Sequence, residues 1–170
     1  MTIKELRQTC QSVHKGGWTV SIVRSVSIYF TWMLAPTGIT GNGVSAINCA
    51  VGVASGVAFY LGGAMGLAIG VLLFMLNTIL DCVDGEMARY RKTSSLTGLY
   101  ADRINTVFLY PAIFYGAGHG LATTYGMPFL IDAGAIGGWA MLSLRLLKTS
   151  IDATLIDALT MSKARREESV

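Results

Sequence analysis

Residues 44–61, VSAINCAVGVASGVAFYL, carry no charged side chain, and neither do residues 65–80, MGLAIGVLLFMLNTIL. About 20 apolar residues in a helix cross the hydrocarbon core of a bilayer. Lipid offers no hydrogen bonds to the backbone, so such a run must satisfy its own N–H and C=O groups as a helix. Only Gly62, Gly63 and Ala64 separate the two runs. The chain therefore contains a membrane hairpin, and the rest of its fold must accommodate it. Residues 104–121, INTVFLYPAIFYGAGHGL, read as a third span despite Pro111, and residues 127–147, MPFLIDAGAIGGWAMLSLRLL, as a fourth. Composition agrees. Charged residues make up 14% of the chain, against about 25% in an ordinary soluble domain.

The expected fold class is an all-α integral membrane protein, a bundle of four transmembrane helices with an N-terminal interfacial amphipathic helix. That first helix is residues 18–36, WTVSIVRSVSIYFTWMLAP. Trp18, Ile22, Val26, Phe30 and Met33 recur at helical spacing and Arg24 interrupts the run. A charged residue beside a one-sided apolar stripe favours a helix lying in the interface; a short fifth span is the competing reading. Pro36 and the turn-rich TGITGNG end it. The expected organisation is a cytoplasmic segment over 1–17, a membrane domain over 18–148 and an amphipathic tail over 149–170. Residues 1–17 lack the apolar core of a signal peptide, so targeting falls to the spans.

Small residues recur every fourth position, as Ala50, Ala54 and Ala58 and as Gly62, Gly66 and Gly70. Small faces let membrane helices approach closely, so the first two spans are expected to pack on them. His119 lies far from the charged stretch and reads as structural. Cys10, Cys49 and Cys82 have no metal-ligand spacing and read as free thiols.

Lys and Arg set the orientation. Lys4, Arg7, Lys15 and Arg24 precede the first span; Arg89, Arg91, Lys92 and Arg103 lie between the second and third; Arg145, Lys148, Lys163, Arg165 and Arg166 cluster at the end of the fourth and beyond it. The turns at 62–64 and 122–126 carry none. Cytoplasmic termini with four spans satisfy the positive-inside rule. A net charge of +3 is too small to indicate nucleic acid as a partner.

Against this apolar background stands DCVDGEMARYRKTSSLTGLYADRINT, residues 81–106. Asp81 and Asp84 are three apart and share a helix face; Asp102 opens the next span. Three carboxylates with no nearby His suit a hard ion such as Mg²⁺ or Mn²⁺. Gly85 and Ala88 remove bulk beside them, Gly98 does likewise or breaks the helix before Asp102, and Arg89 and Arg91 can face a phosphate. The competing reading is a solvated loop in which Asp81 and Asp84 pair with Arg89 and Arg91. Ionisable residues at the mouth of a membrane bundle favour the functional one. Arg145 either snorkels to lipid phosphates or reaches an anionic acceptor.

The order Asp81-x2-Asp84-Gly85-x2-Ala88-Arg89-x8-Gly98-x3-Asp102 resembles the signature of the CDP-alcohol phosphotransferase family, DxxDGxxARx8GxxxDxxxD. Residues 31–48 resemble the stretch before the family's first span, with Gly41-Asn42 where a Pro-Asn pair is usual. The resemblance covers roughly residues 18–147. It implies an enzyme of phospholipid biosynthesis that moves a substituted phosphate from a CDP-alcohol, often CDP-diacylglycerol, to an acceptor hydroxyl, releasing CMP. It implies two divalent ions on Asp81, Asp84 and Asp102, with Asn42, Gly85, Ala88, Arg89 and Gly98 bordering the donor. It also implies a homodimer or hetero-oligomer in a bacterial or archaeal-type inner membrane, the site facing the cytoplasm. Two features depart from the pattern. Thr106 occupies the position of the family's general base and fourth ligand, and the last two of the family's six spans are missing or reduced to the tail. Losing a general base costs about 10²–10⁴ in rate. A nucleotide- or lipid-binding subunit supporting an active partner is the alternative reading.

Overall fold

The computed structural model describes residues 2–11, 18–92 and 96–167; the side chains of 19, 96–106, 152, 156–157 and 159–167 lie outside the described set. Among the described residues six α-helices follow in order: α1 (Ile3–Cys10), α2 (Trp18–Leu34), α3 (Gly41–Leu61), α4 (Gly63–Arg91), α5 (Leu96–Tyr125) and α6 (Phe129–Glu167). No strand occurs among the described residues. The chain is an all-α integral membrane protein.

Local signals explain where the helices begin and end. Thr2 caps α1 by accepting from the Glu5 N–H, and Glu5 returns a bond to the Thr2 N–H at 3.0 Å. A short 3₁₀ turn, Ala35–Thr37, follows α2, and Gly38 at φ 79° turns the chain. Thr40 then caps α3 by accepting from the Gly43 N–H. Gly62 and Gly63 both take positive φ between α3 and α4, which only glycine adopts freely.

Among the described residues, α3, α4 and Phe129–Leu155 of α6 are long and apolar enough to cross a membrane. The expected count of four rests on α5. It has 30 residues with Pro111 inside and packs on both α3 and α6. The approach is close. A Cβ on Gly116 would come within 2.6 Å of the Gly56 carbonyl oxygen, and one on Gly134 within 2.6 Å of the Phe114 carbonyl oxygen. His119 stacks on Tyr60 at 4.0 Å between ring centroids and so joins α5 to the end of α3.

The α3–α4 hairpin forms as expected, but only part of the expected small-residue face takes part: a Cβ on Gly66 would lie 2.8 Å from the Ala58 carbonyl oxygen. Ala50 and Ala54 are exposed; Asn48, Gly52, Ser55 and Phe59 are buried. Gly70 of α4 does meet α3, against the Phe59 ring. Polar bonds add to the packing. Asn77 Nδ2 donates to Asn48 Oδ1 at 2.6 Å and to its carbonyl at 3.0 Å, and the Ser55 hydroxyl donates to the Gly70 carbonyl at 3.0 Å. Inter-helix polar contacts in membranes contribute about 0.6 kcal/mol on average.

Helix α2 spans 17 residues, roughly 25 Å at 1.5 Å per residue and short of the bilayer core. Trp18, Ile22, Val26 and Met33 of the expected stripe are exposed, while Ser27 and Thr31 are fully buried. Its apolar stripe thus faces outward, and Ser27 and Thr31 face inward. Phe30, from the same stripe, turns toward the core of Val44, Leu80, Val83 and Met87. Helix α1 closes over α2 through Leu6, Cys10 and Ile28, with Tyr90 of α4 packed on them.

Candidate functional site

Residues 81–91 form the last three turns of α4, not a loop. Twenty-nine residues make α4 about 44 Å long, well beyond a core of about 30 Å. The helix therefore has length to carry its C-terminal turns beyond the hydrocarbon, where charged groups are tolerated. It stops at Lys92, a non-glycine residue at φ 54° whose N–H returns to the Ala88 and Arg89 carbonyls.

On these turns Asp81 is half-buried and Asp84 buried. Ser45, on the second turn of α3, donates its hydroxyl to Asp84 Oδ2 at 2.7 Å. That bond restricts the carboxylate's rotamer. The close approach that allows it comes from Gly41. A Cβ there would lie 3.1 Å from the Asp84 carbonyl oxygen and 3.2 Å from Ala88 Cβ. Ala88 is small where α3 rests on it, a packing role. Gly85 differs: among the described residues, the atoms nearest a Cβ on it would be those of the Arg89 guanidinium, at 3.5 Å for Nη1 and 3.6 Å for Nη2. A cation therefore lies on that side of the helix. Asn42 is exposed on the first turn of α3, next to Gly41.

The two arginines bind carbonyls. Arg89 Nε donates to the Cys10 carbonyl at 2.8 Å, and Arg91 Nη2 to the Ala35 carbonyl at 3.2 Å. Arg91 therefore holds the α2–α3 turn, and its Nε is buried without a hydrogen-bond partner among the described residues. Burial pushes the Cys10 thiol above its ordinary range; the Glu86 charge adds to this and Arg89 opposes it. Arg145 of α6 lies over the Tyr110 ring of α5, 5.1 Å from its centroid, within cation–π range. Tyr110 in turn meets Phe74 of α4 edge-on.

Asp102, Gly98 and Thr106 lie on the first turns of α5, and their side chains are outside the described residues. Gly98 does not break a helix before Asp102, since α5 begins at Leu96. Among the described residues no three His, Cys, Asp or Glu side chains come together as a metal site. Asp81 and Asp84 supply hard oxygen donors on one helix face, which is a donor set that suits a divalent ion.

Sequence reading missed Ser45 and Glu86. Glu86 is fully buried, and its carboxylate accepts from Gln11, Ser27 and Thr31. The available signal was an acidic residue inside a turn already rich in them, together with Ser27 and Thr31, one turn apart on a helix with an apolar stripe.

The family model of CDP-alcohol phosphatidyltransferase matches residues 39–164. The chain belongs to this family. The match runs from just before α3 nearly to the end of α6 and covers all of the site turns on α4. No curated protein matches the chain. Membership places the protein among the transferases of phospholipid biosynthesis that take a phosphate-bearing group from a CDP-alcohol, a family that generally depends on divalent metal.

Proposed function

We propose that the protein transfers a substituted phosphate from CDP-diacylglycerol to an acceptor hydroxyl. The acceptor oxygen bonds to the phosphorus that carries the diacylglycerol. The bond from that phosphorus to the bridging oxygen breaks, and CMP leaves with the electron pair. The observation that carries this reading is the arrangement on α4, where Asp81 and Asp84 share a face beside Gly85 and the Arg89 guanidinium.

Asp81, Asp84 and Asp102 would hold Mg²⁺ or Mn²⁺, two ions if the second tolerates Thr106. When bound, the metal neutralises the diphosphate and polarises phosphorus. The remaining work belongs to the chain. Ser45 orients Asp84, Arg89 faces the diphosphate, and Asn42, Gly85, Ala88 and Gly98 border the nucleotide. Placement and charge neutralisation supply most of phosphoryl-transfer catalysis. The acceptor proton goes to water, to a substrate phosphate or to a residue outside the signature, because a neutral Thr106 hydroxyl is a poor base at pH 7. The Lys and Arg distribution supports a cytoplasmic site.

Release of CMP from CDP-diacylglycerol, with a panel of alcohol acceptors and either metal, tests the reading. Turnover dependent on both metal and acceptor supports it; none above background with any acceptor sinks it for the isolated chain. Thr106 favours a second reading, a subunit that binds the nucleotide or lipid and supports an active partner. It predicts metal-dependent CDP binding without CMP release, and a membrane protein that co-purifies.

A further inference from the structure

Glu86 has no place in the transfer just described, yet it lies inside the signature and is fully buried. A buried carboxylate is costly unless its oxygens are hydrogen-bonded. Here both are. Oε1 accepts from Gln11 Nε2 at 2.7 Å and from the Ser27 hydroxyl at 2.8 Å; Oε2 accepts from the Thr31 hydroxyl at 2.5 Å. Gln11 is the residue that ends α1, and Ser27 and Thr31 are one turn apart on α2. One carboxylate on α4 thus gathers the two N-terminal helices.

A second tie lies one turn away. Arg89 Nε donates to the carbonyl of Cys10, the neighbour of Gln11. Residues three apart on a helix lie side by side, so Glu86 and Arg89 grip two consecutive residues at the end of α1. The Nε bond restricts the plane of the guanidinium, and among the described residues its two outer nitrogens are the atoms nearest a Cβ on Gly85.

We propose that Glu86 is a positioning residue: by clamping α1 and α2 onto the signature turn it holds the Arg89 guanidinium beside Gly85, ready for the phosphates of a nucleoside diphosphate. This rests on the donor-site reading above. Glu86 touches neither nucleotide nor metal in this role. It acts through Gln11 and the Cys10 carbonyl on Arg89, so the N-terminal helices become part of the donor site without lining it.

The test uses the full chain in lipid nanodiscs with two readouts. One is the rate of Cys10 alkylation by N-ethylmaleimide, read by mass spectrometry. The other is the affinity for CDP in the presence of Mn²⁺, by calorimetry. Leaving buried hydrogen-bonding groups unsatisfied should raise Cys10 alkylation and weaken CDP binding, each by roughly 10-fold, in Glu86→Gln. Gln11→Ala, a milder change that leaves α2 tied, should move both readouts in the same direction and carries the test if Glu86→Gln does not fold. In an Arg89→Ala background neither change should weaken CDP binding further. A purely structural role would not produce that loss of additivity. Cys10 protected in both variants, faster alkylation with unchanged CDP affinity, or full additivity with Arg89→Ala each overturns the proposal. A wild-type chain that binds no CDP overturns the donor-site reading and the positioning role together, whereas normal wild-type binding without the coupling removes only the positioning role.

Discussion

Gly41 of α3 rests directly on Ala88 of α4, so close that a Cβ on the glycine would sit 3.2 Å from the alanine methyl. The same contact sets the start of α3 over the Asp84 carbonyl and brings Ser45 to the Asp84 carboxylate. Gly41→Val should force the two helices apart and cost about 1–3 kcal/mol, the usual range for overpacking. Thermal unfolding in detergent should show a lowered Tm, and CMP release should fall with it. An unchanged Tm would mean that α3 does not press on α4 at this point.

Ser45 can be separated from that packing. Ser45→Ala removes only the hydroxyl that donates to Asp84 Oδ2. Losing a partner that orients a metal ligand typically weakens metal affinity 10–100-fold. The expected outcome is a shift of about that size in the Mn²⁺ concentration needed for half-maximal CMP release, with the maximal rate recovered at high metal. Ser45→Thr, which keeps the hydroxyl, should shift far less.

Thr106 offers the most direct probe of the chemistry. Thr106→Asp supplies a carboxylate one turn beyond Asp102 on α5. If only the base is missing, CMP release should rise about 10²–10⁴-fold. A wild type that is active and gains nothing from the substitution would assign deprotonation of the acceptor to another group.

The docking of α1 should depend on pH. The Cys10 thiol is raised above its ordinary value of 9.0, first by burial and then by Glu86. The folded state therefore disfavours the thiolate. Stability from this site is complete below pH 9.0 and declines as pH rises above it, where the unfolded thiol ionises first. Between pH 8 and pH 10.5 the wild type should lose more Tm than Cys10→Ala. Equal losses in the two proteins would remove Cys10 as the cause.

The membrane hairpin was legible because an uncharged run of that length has few other fates. The signature was legible because its spacing survives without any structure. The face of α3 that meets α4 was legible only in part: Ala58 does meet Gly66, but Ala50 and Ala54 repeat just as regularly and are exposed while Asn48, Gly52, Ser55 and Phe59 are buried, and regular spacing does not say which side of a helix has a neighbour. Asn48 and Asn77 were the better guide, since an amide inside an apolar span needs a partner. Glu86 stayed hidden because its donors lie 55 to 75 residues upstream, and Gln11, Ser27 and Thr31 share no local pattern. Charge alone pointed Arg91 to a phosphate and Arg145 to lipid phosphates or an anionic acceptor. Their contacts with the Ala35 carbonyl and the Tyr110 ring depend on tertiary approach that no local pattern records.

Helix α4 is unbroken from Gly63 to Arg91, so the compass bearing of the carboxylates is tied to the hairpin by helical phase. One residue inserted before Asp81 would swing Asp81 and Asp84 about 100° and lift them about 1.5 Å. An insertion of seven would return nearly the original bearing about 10.5 Å farther along the axis. The length of a membrane span is usually free to drift with the thickness of the bilayer around it. In this protein it is a gauge, and drift of a single residue would turn Asp84 away from Ser45.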